Sequence, residues 1–102
     1  MIHVIASIEI QSGERDAFLE AFHEIVAPVR AEQGCIEYGP AIDLATDIPA
    51  QSPVRSDVVT VVEKWESLEH LKAHLDAPHM REYRTKVKDL VVKTTLLILS
   101  PA

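Results

Sequence analysis

The sequence predicts a single α+β domain with the ferredoxin-like order β-α-β-β-α-β. Four short stretches rich in apolar and β-branched residues are bounded by polar, Gly or Pro breaks, and two stretches between them space apolar residues three and four apart. A length of 102 residues suits one domain spanning 1–102 and leaves no room for a second core.

Ile2 to Ile10 reads as the first strand, with Ile2, Val4, Ala6, Ile8 and Ile10 on one side and His3, Ile5, Ser7 and Glu9 on the other. Gln11-Ser12-Gly13 breaks it, and Ser12 or Gly13 can cap the next element. A helix follows from Glu14 to about Glu32, its apolar stripe formed by Phe18, Phe22, Ile25, Val26 and Val29. Pro28 cannot bond the carbonyl of Glu24, which predicts a kink. Gly34 suits the C′ position beyond the helix. Cys35 to Leu44 reads as the second strand, in which Gly39-Pro40 implies a bulge or an edge position. Residues 45–57 (ATDIPAQSPVRSD) are polar and aperiodic, a length often found in lids and partner-binding arms.

Val58 to Trp65 is the third strand, with Val59, Val61, Glu63 and Trp65 sharing a face. Ser67 caps a short helix that carries Leu68, Leu71 and Leu75. Asp76-Ala77-Pro78 breaks and restarts it, with Pro78 at the first helical position. The second segment is expected to bury Met80, Tyr83, Val87, Leu90 and Val91, and Lys93 to Ser100 is the last strand. Helices on one side of a sheet and water on the other should give strands apolar on one face only. Val58-Val59, Val61-Val62 and Leu96-Leu97-Ile98-Leu99 are apolar on both. A homodimer packing sheet against sheet would cover the second face.

Ten Lys plus Arg against sixteen Asp plus Glu give a net charge of −6, which repels phosphate backbones and disfavours a nucleic-acid partner. The basic residues Arg81, Arg84 and Lys88 recur on one helix side with Glu82 and Asp89 among them, the pattern of a solvated face. One cysteine permits no internal disulfide and fits a reducing compartment. No apolar run approaches the roughly 20 residues of a membrane span. The first ten residues lack the basic start and cleavage site of a signal peptide, so a cytoplasmic domain without a membrane partner is expected. The three glycines are far apart and form no phosphate-binding loop, which disfavours a nucleotide cofactor bound in the usual way.

The densest set of reactive residue types is EKWESLEHLKAHLDAPHM, from Glu63 to Met80. His74 borders the buried stripe through Leu71, and His79 shares a helical face with Tyr83. A neutral imidazole beside an apolar cavity is a suitable base near pH 7, although any one of these histidines can also be a satisfied polar residue at a helix end. His70 is expected to face solvent. His70 and His74 are four apart, but the string HLKAH is not HExxH and no third ligand adjoins it, so no metal site is expected. Glu63 lies between apolar Val61 and Trp65 on its face. It is either a buried carboxyl with a raised pKa or the partner of a Lys or Arg across the sheet or dimer. Cys35 has no activating neighbour in sequence and reads as structural.

Gly34-Cys35-Ile36-Glu37-Tyr38, Val62-Glu63-Lys64-Trp65-Glu66-Ser67, Ala73-His74-Leu75 and Pro78-His79-Met80 together resemble the antibiotic biosynthesis monooxygenase domain, nearest to its bacterial quinol monooxygenase-like members. The looser likeness runs from Ile2 to Pro101. The resemblance implies a dimeric α+β barrel and a cofactor-independent monooxygenase that oxidises a quinol or a phenolic or polycyclic aromatic substrate with O₂. It places a cavity between helices and sheet, lined by Tyr38, Trp65, Leu71, Met80 and Tyr83. It further suggests His79 or His74 as base, and Glu63 tuning a pKa or fixing a tautomer. Haem-degrading relatives carry an Asn, a Trp and a His near the positions held here by Ala6, His74 and Arg84, so haem degradation is disfavoured. A non-catalytic dimeric binding module for small aromatic metabolites, and isomerase-like chemistry with a His base, are the alternatives on the same fold.

Overall fold

The computed structural model describes the whole chain, residues 1–102. The elements are β1 (Ile2–Ile10), α1 (Arg15–Arg30), β2 (Cys35–Ala41), β3 (Val58–Trp65), α2 (Leu68–Leu75), α3 (Pro78–Val87) and β4 (Val91–Leu99). The strands form one antiparallel sheet in the order β2-β3-β1-β4. This is the ferredoxin-like arrangement with its second helix divided in two. The molecule measures 37 × 36 × 20 Å, and its thin axis is one sheet plus one layer of helices.

The core lies between those layers. Alternation on the two central strands sends Val4, Ala6, Ile8 and Ile10 of β1 and Val59, Val61, Glu63 and Trp65 of β3 to the helix side, where all are buried. Phe18, Phe22, Ile25 and Val29 of α1 meet them, with Leu71 of α2 and Met80, Tyr83 and Val87 of α3. The break before α3 follows from Pro78, whose missing N–H costs nothing in the first turn of a helix. Leu90 and Val91, expected in the core, are only partly buried at its margin.

Three local expectations are corrected. α1 starts from Glu14, without a side-chain cap from Ser12, and Gly13 serves a turn instead (φ +79°). The helix continues past Pro28 to Arg30 and ends at Ala31, so Gly34 is not its C′ residue. β2 stops at Ala41, short of Leu44; of the two expectations for Gly39-Pro40 the edge position holds, since both residues pair in register with Val62 and Val61 on an edge strand, and the bulge falls instead between Cys35 and Glu37.

Gly34 has a different task. Its φ is +82°, and a Cβ there would lie 2.3 Å from Cγ of His70 and 2.7 Å from its Cβ. His70 is accordingly not a solvent-facing residue: its Nδ1 lies 2.7 Å from Oγ of Ser67 and its ring packs on Gly34. Gly34→Ala is expected to lower stability by about 1–3 kcal/mol through left-handed backbone strain and displacement of His70. Urea denaturation measures this, and a loss below about 0.5 kcal/mol would show that the approach is not tight.

β4 is exposed over nearly its whole length. α1 packs over β2 and β3 and against α3, which leaves the β4 edge with little helix cover. Leu96 and Ile98, paired with Ala6 and Val4 on the helix side, are therefore as open as Leu97 and Leu99 on the other face. Residues 42–57 have no regular structure. A two-pronged Arg55–Asp43 ion pair (2.8 and 2.9 Å) clasps the two ends of this segment, and Ile42, Leu44, Ile48 and Val54 stand exposed along it.

Candidate active site

Local structure brings five polar or aromatic groups together between sheet and helices. The β3 alternation turns Glu63 and Trp65 inward, and antiparallel pairing sets Tyr38 of β2 opposite Glu63. The Ser67 cap, which accepts the backbone N–H of His70, starts α2 in the phase that points Leu71 and His74 inward, three residues apart. Glu32 comes from the turn after α1.

His74 is 1% exposed and lies against the Trp65 ring (centroids 4.6 Å), with Tyr38 edge-on at 5.4 Å. Its Nδ1–H donates to Oε2 of Glu32 at 2.9 Å. A carboxylate can only accept, so this bond puts the proton on Nδ1 and leaves Nε2 with its lone pair. Nε2 is 4.0 Å from Oε1 of Glu63. That same carboxyl oxygen accepts the Trp65 indole N–H at 2.9 Å, and Glu63 itself is 6% exposed. The partner of Glu63 within the chain is thus an indole, with no Lys or Arg on it. His79 donates its Nε2–H to the same Oε2 of Glu32 at 2.7 Å.

Burial sets the titration of these groups. It pushes the Glu63 carboxyl up to about 7; the indole bond pulls the other way, and the Glu32 charge adds to the rise. Burial pushes the His74 imidazole down, opposed by its bond to Glu32, so the ring favours its neutral form. The Tyr38 phenol is driven up by burial and then by Glu63, and burial also raises the Tyr83 phenol. Near neutral pH these environments favour an uncharged imidazole base beside a carboxyl poised between its two forms.

These groups border a cavity of about 200 Å³. Glu63, His74, Tyr38, Phe22, Met80 and Tyr83 supply most of its inner wall, and exposed Thr94 and Leu96 of β4 form its outer side. Tyr38, Met80 and Tyr83 thus stand where expected. Trp65 and Leu71 do not: each is a fully buried core residue behind the wall, Trp65 touching the site only through Glu63 and His74. His79 lines a separate surface groove between α1 and α3 and meets the site through Glu32 alone. Arg84, expected on a solvated face, lies at the cavity rim and donates to the carbonyl of Leu75 at 2.7 Å. No three His, Cys, Asp or Glu side chains are grouped to hold a metal ion; His70 is tied to Ser67 and His74 to Glu32.

The sequence profile described as antibiotic biosynthesis monooxygenase matches residues 1–86. The chain belongs to that family. Among antibiotic biosynthesis monooxygenase relatives, the protein named probable quinol monooxygenase YgiN of Escherichia coli is 41% identical over 103 residues, spanning 99% of this chain and 98% of its own length. The crystal structure of PA3566 from Pseudomonas aeruginosa (TM-score 0.80, 23% identity) and the structure of Rv0793 from Mycobacterium tuberculosis (TM-score 0.79, 24% identity) show the same fold. Each covers 99% of this chain, and 93% and 94% of the respective structures are matched. No helix is long and apolar enough to cross a membrane.

Glu32 is the site residue that reading the sequence does not find. It sits past the end of a helix beside Gln33-Gly34, where an acidic residue looks like ordinary solvated surface. Its partners lie 42 and 47 positions further along the chain. The one available signal was the pair of histidines, His74 and His79, each of which needs a polar partner once buried or half-buried.

Proposed function

We propose that this protein is a cofactor-independent monooxygenase that oxidises a quinol or related phenolic aromatic with O₂, acts as a homodimer, and uses Nε2 of His74 as the base. The observation that carries this reading is the Glu32–His74 pair, a carboxylate-oriented imidazole with its free nitrogen toward Glu63 and an apolar, aromatic-walled cavity. Full-length likeness to a relative named for quinol oxidation supports the substrate class.

The chemistry needs little else. His74 removes a phenolic proton, and the resulting electron-rich anion gives one electron to O₂. The radical pair joins at a ring carbon to form a hydroperoxide, which takes back the proton and loses water. The balance is hydroquinone plus O₂ to hydroxyquinone plus H₂O; the substrate supplies every electron. Tyr38, Phe22 and Tyr83 orient the ring, and the apolar walls keep bulk water from the intermediates. Leu97 and Leu99 on the helix-free face, with the apolar side chains of residues 42–57, support the homodimer, since water-exposed apolar surface of this extent favours a covering copy.

The test is oxygen uptake on adding a panel of reduced quinones to the size-exclusion fraction at dimer mass, with product mass spectra. Uptake of one O₂ per quinol, with one oxygen atom gained in the product, is expected. Tight binding without uptake would favour the binding-module reading, and conversion without oxygen loss an isomerase. A monomer carrying full activity would overturn the dimer.

A further inference from the structure

We infer that Glu63 is the general acid of this site, giving the proton that turns the departing oxygen of the hydroperoxide into water, an inference that rests on the monooxygenase reading above. Its carboxyl borders the same cavity as His74, with Oε1 4.0 Å from Nε2 of that base. Oε1 accepts the Trp65 indole N–H at 2.9 Å, the part a carbonyl oxygen plays, so in the neutral carboxyl the proton sits on Oε2. Oε2 of Glu63 and Nε2 of His74 have no hydrogen-bond partner within the chain, and no sealed side-chain nitrogen or oxygen is left without one. Both atoms therefore reach open space, and the cavity is the space their residues border.

Loss of water from a ring hydroperoxide calls for a base and an acid together. The hydrogen on the carbon bearing the peroxide leaves as a proton while the O–O bond breaks. The departing oxygen must be protonated as it leaves, because a bare hydroxide in an apolar cavity is costly. His74 is neutral again at this point, having returned the phenolic proton to the peroxide. Its Nε2 takes the carbon-bound proton, the freed electron pair becomes the new C=O bond, and Oε2 of Glu63 gives its proton to the distal oxygen. The carbon is oxidised and that oxygen is reduced to water. The water forms against Oε2; it accepts the Nε2–H of His74 and hands a proton back to Oε2. The Nδ1–H of His74 stays on Glu32 throughout, so both groups regain the forms in which they began.

The other groups around the cavity do not suit this task near pH 7. Burial pushes up the phenols of Tyr38 on β2 and Tyr83 on α3, and they hold their protons too tightly. Arg84 of α3 stays cationic. Cys35 of β2, its thiol also raised by burial, is not part of the cavity wall. Glu32, beyond α1, is taken up by two histidines, and its charge helps to raise Glu63. β1 and β4 present no ionisable group to the cavity. Burial lifts the Glu63 carboxyl to about 7, where it both holds a proton and can release one.

The hydroperoxide has two fates, and they report on the acid. With a proton delivered to the distal oxygen, quinol plus O₂ gives hydroxyquinone plus H₂O. Without it, hydroperoxide departs from the ring carbon, and quinol plus O₂ gives quinone plus H₂O₂. Glu63→Gln keeps an acceptor for the indole N–H but has no acidic proton. The probes are the reduced quinones that the wild-type protein oxidises, starting with 1,4-dihydroxybenzene, with oxidation in the absence of protein subtracted. The variant is expected to form hydroxyquinone about 10²–10⁴-fold more slowly, while oxygen uptake falls less steeply and most of the O₂ consumed appears as H₂O₂. In the wild-type protein the same shift toward H₂O₂ is expected as pH rises through about 7 and Glu63 loses its proton, whereas the variant's partition should not follow pH. A folded variant that still yields hydroxyquinone and water at the wild-type rate, or a wild-type partition that is flat across this range, would overturn the acid role and leave the monooxygenase reading standing. A wild-type protein that consumes no oxygen with any quinol of the panel would overturn both.

Discussion

Replacing His74 by Gln is expected to lower quinol-dependent oxygen uptake about 10²–10⁴-fold, the usual contribution of a positioned base. The substitution is chosen for what it keeps. A Gln amide can still donate to Oε2 of Glu32 and still fill the space between Trp65 and Tyr38. It has no nitrogen lone pair of comparable basicity to offer the substrate. The loss should therefore appear in kcat, with KM changed only a few-fold, because the cavity walls that hold the ring are untouched. Circular dichroism and a melting curve would separate this from unfolding. Activity within threefold of wild type, in a folded variant, would remove His74 from the chemistry and leave Glu63 as the buried cavity group that changes charge near neutral pH.

The strands and helices were legible because local chemistry and tertiary burial agree over most of the chain. Val58–Trp65 is expected and found with the same bounds, since a run of β-branched residues there coincides with one fully buried face. Ser67 and Pro78 act through their own backbone neighbourhood, and both were found in the expected roles. What eluded the sequence depends on groups far apart in the chain. Gly34 has the look of a helix terminator, but the residue that requires its missing side chain is His70. Leu71 and Trp65 are apolar and near the site, and nothing local distinguishes a cavity wall from the layer behind it. The apolar character of β4 was plain, yet its exposure on both faces follows only from where α1 packs. Glu63 was recognised as unusual from its apolar neighbours, whereas the choice between a cationic partner and a raised pKa needed the position of the Trp65 indole.

Glu63→Gln is expected to make the protein more stable at pH 8 by about 2–3 kcal/mol while leaving stability near pH 4.5 almost unchanged. In the unfolded chain this carboxyl titrates at the ordinary value of 4.5, and in the folded protein burial raises it to about 7. Between those values the folded state holds a proton that the unfolded state has lost. Stability from this group therefore falls as pH rises through the window, and the whole penalty is present above pH 7. Gln carries no charge to desolvate, and its carbonyl oxygen can still accept the Trp65 indole N–H. His74 has the opposite sign: its lowered pKa makes stability decline as pH falls below 6.5. To first order that trend is common to both proteins and drops out of their difference. Urea denaturation at pH 4.5, 6 and 8, at one protein concentration, would measure the growing gap. A variant equally or less stable at pH 8 would mean that Glu63 is not held as a strained carboxyl. If the gap appears alongside reduced turnover, the wild-type protein retains a destabilising group because the site needs a carboxyl that changes charge near neutral pH.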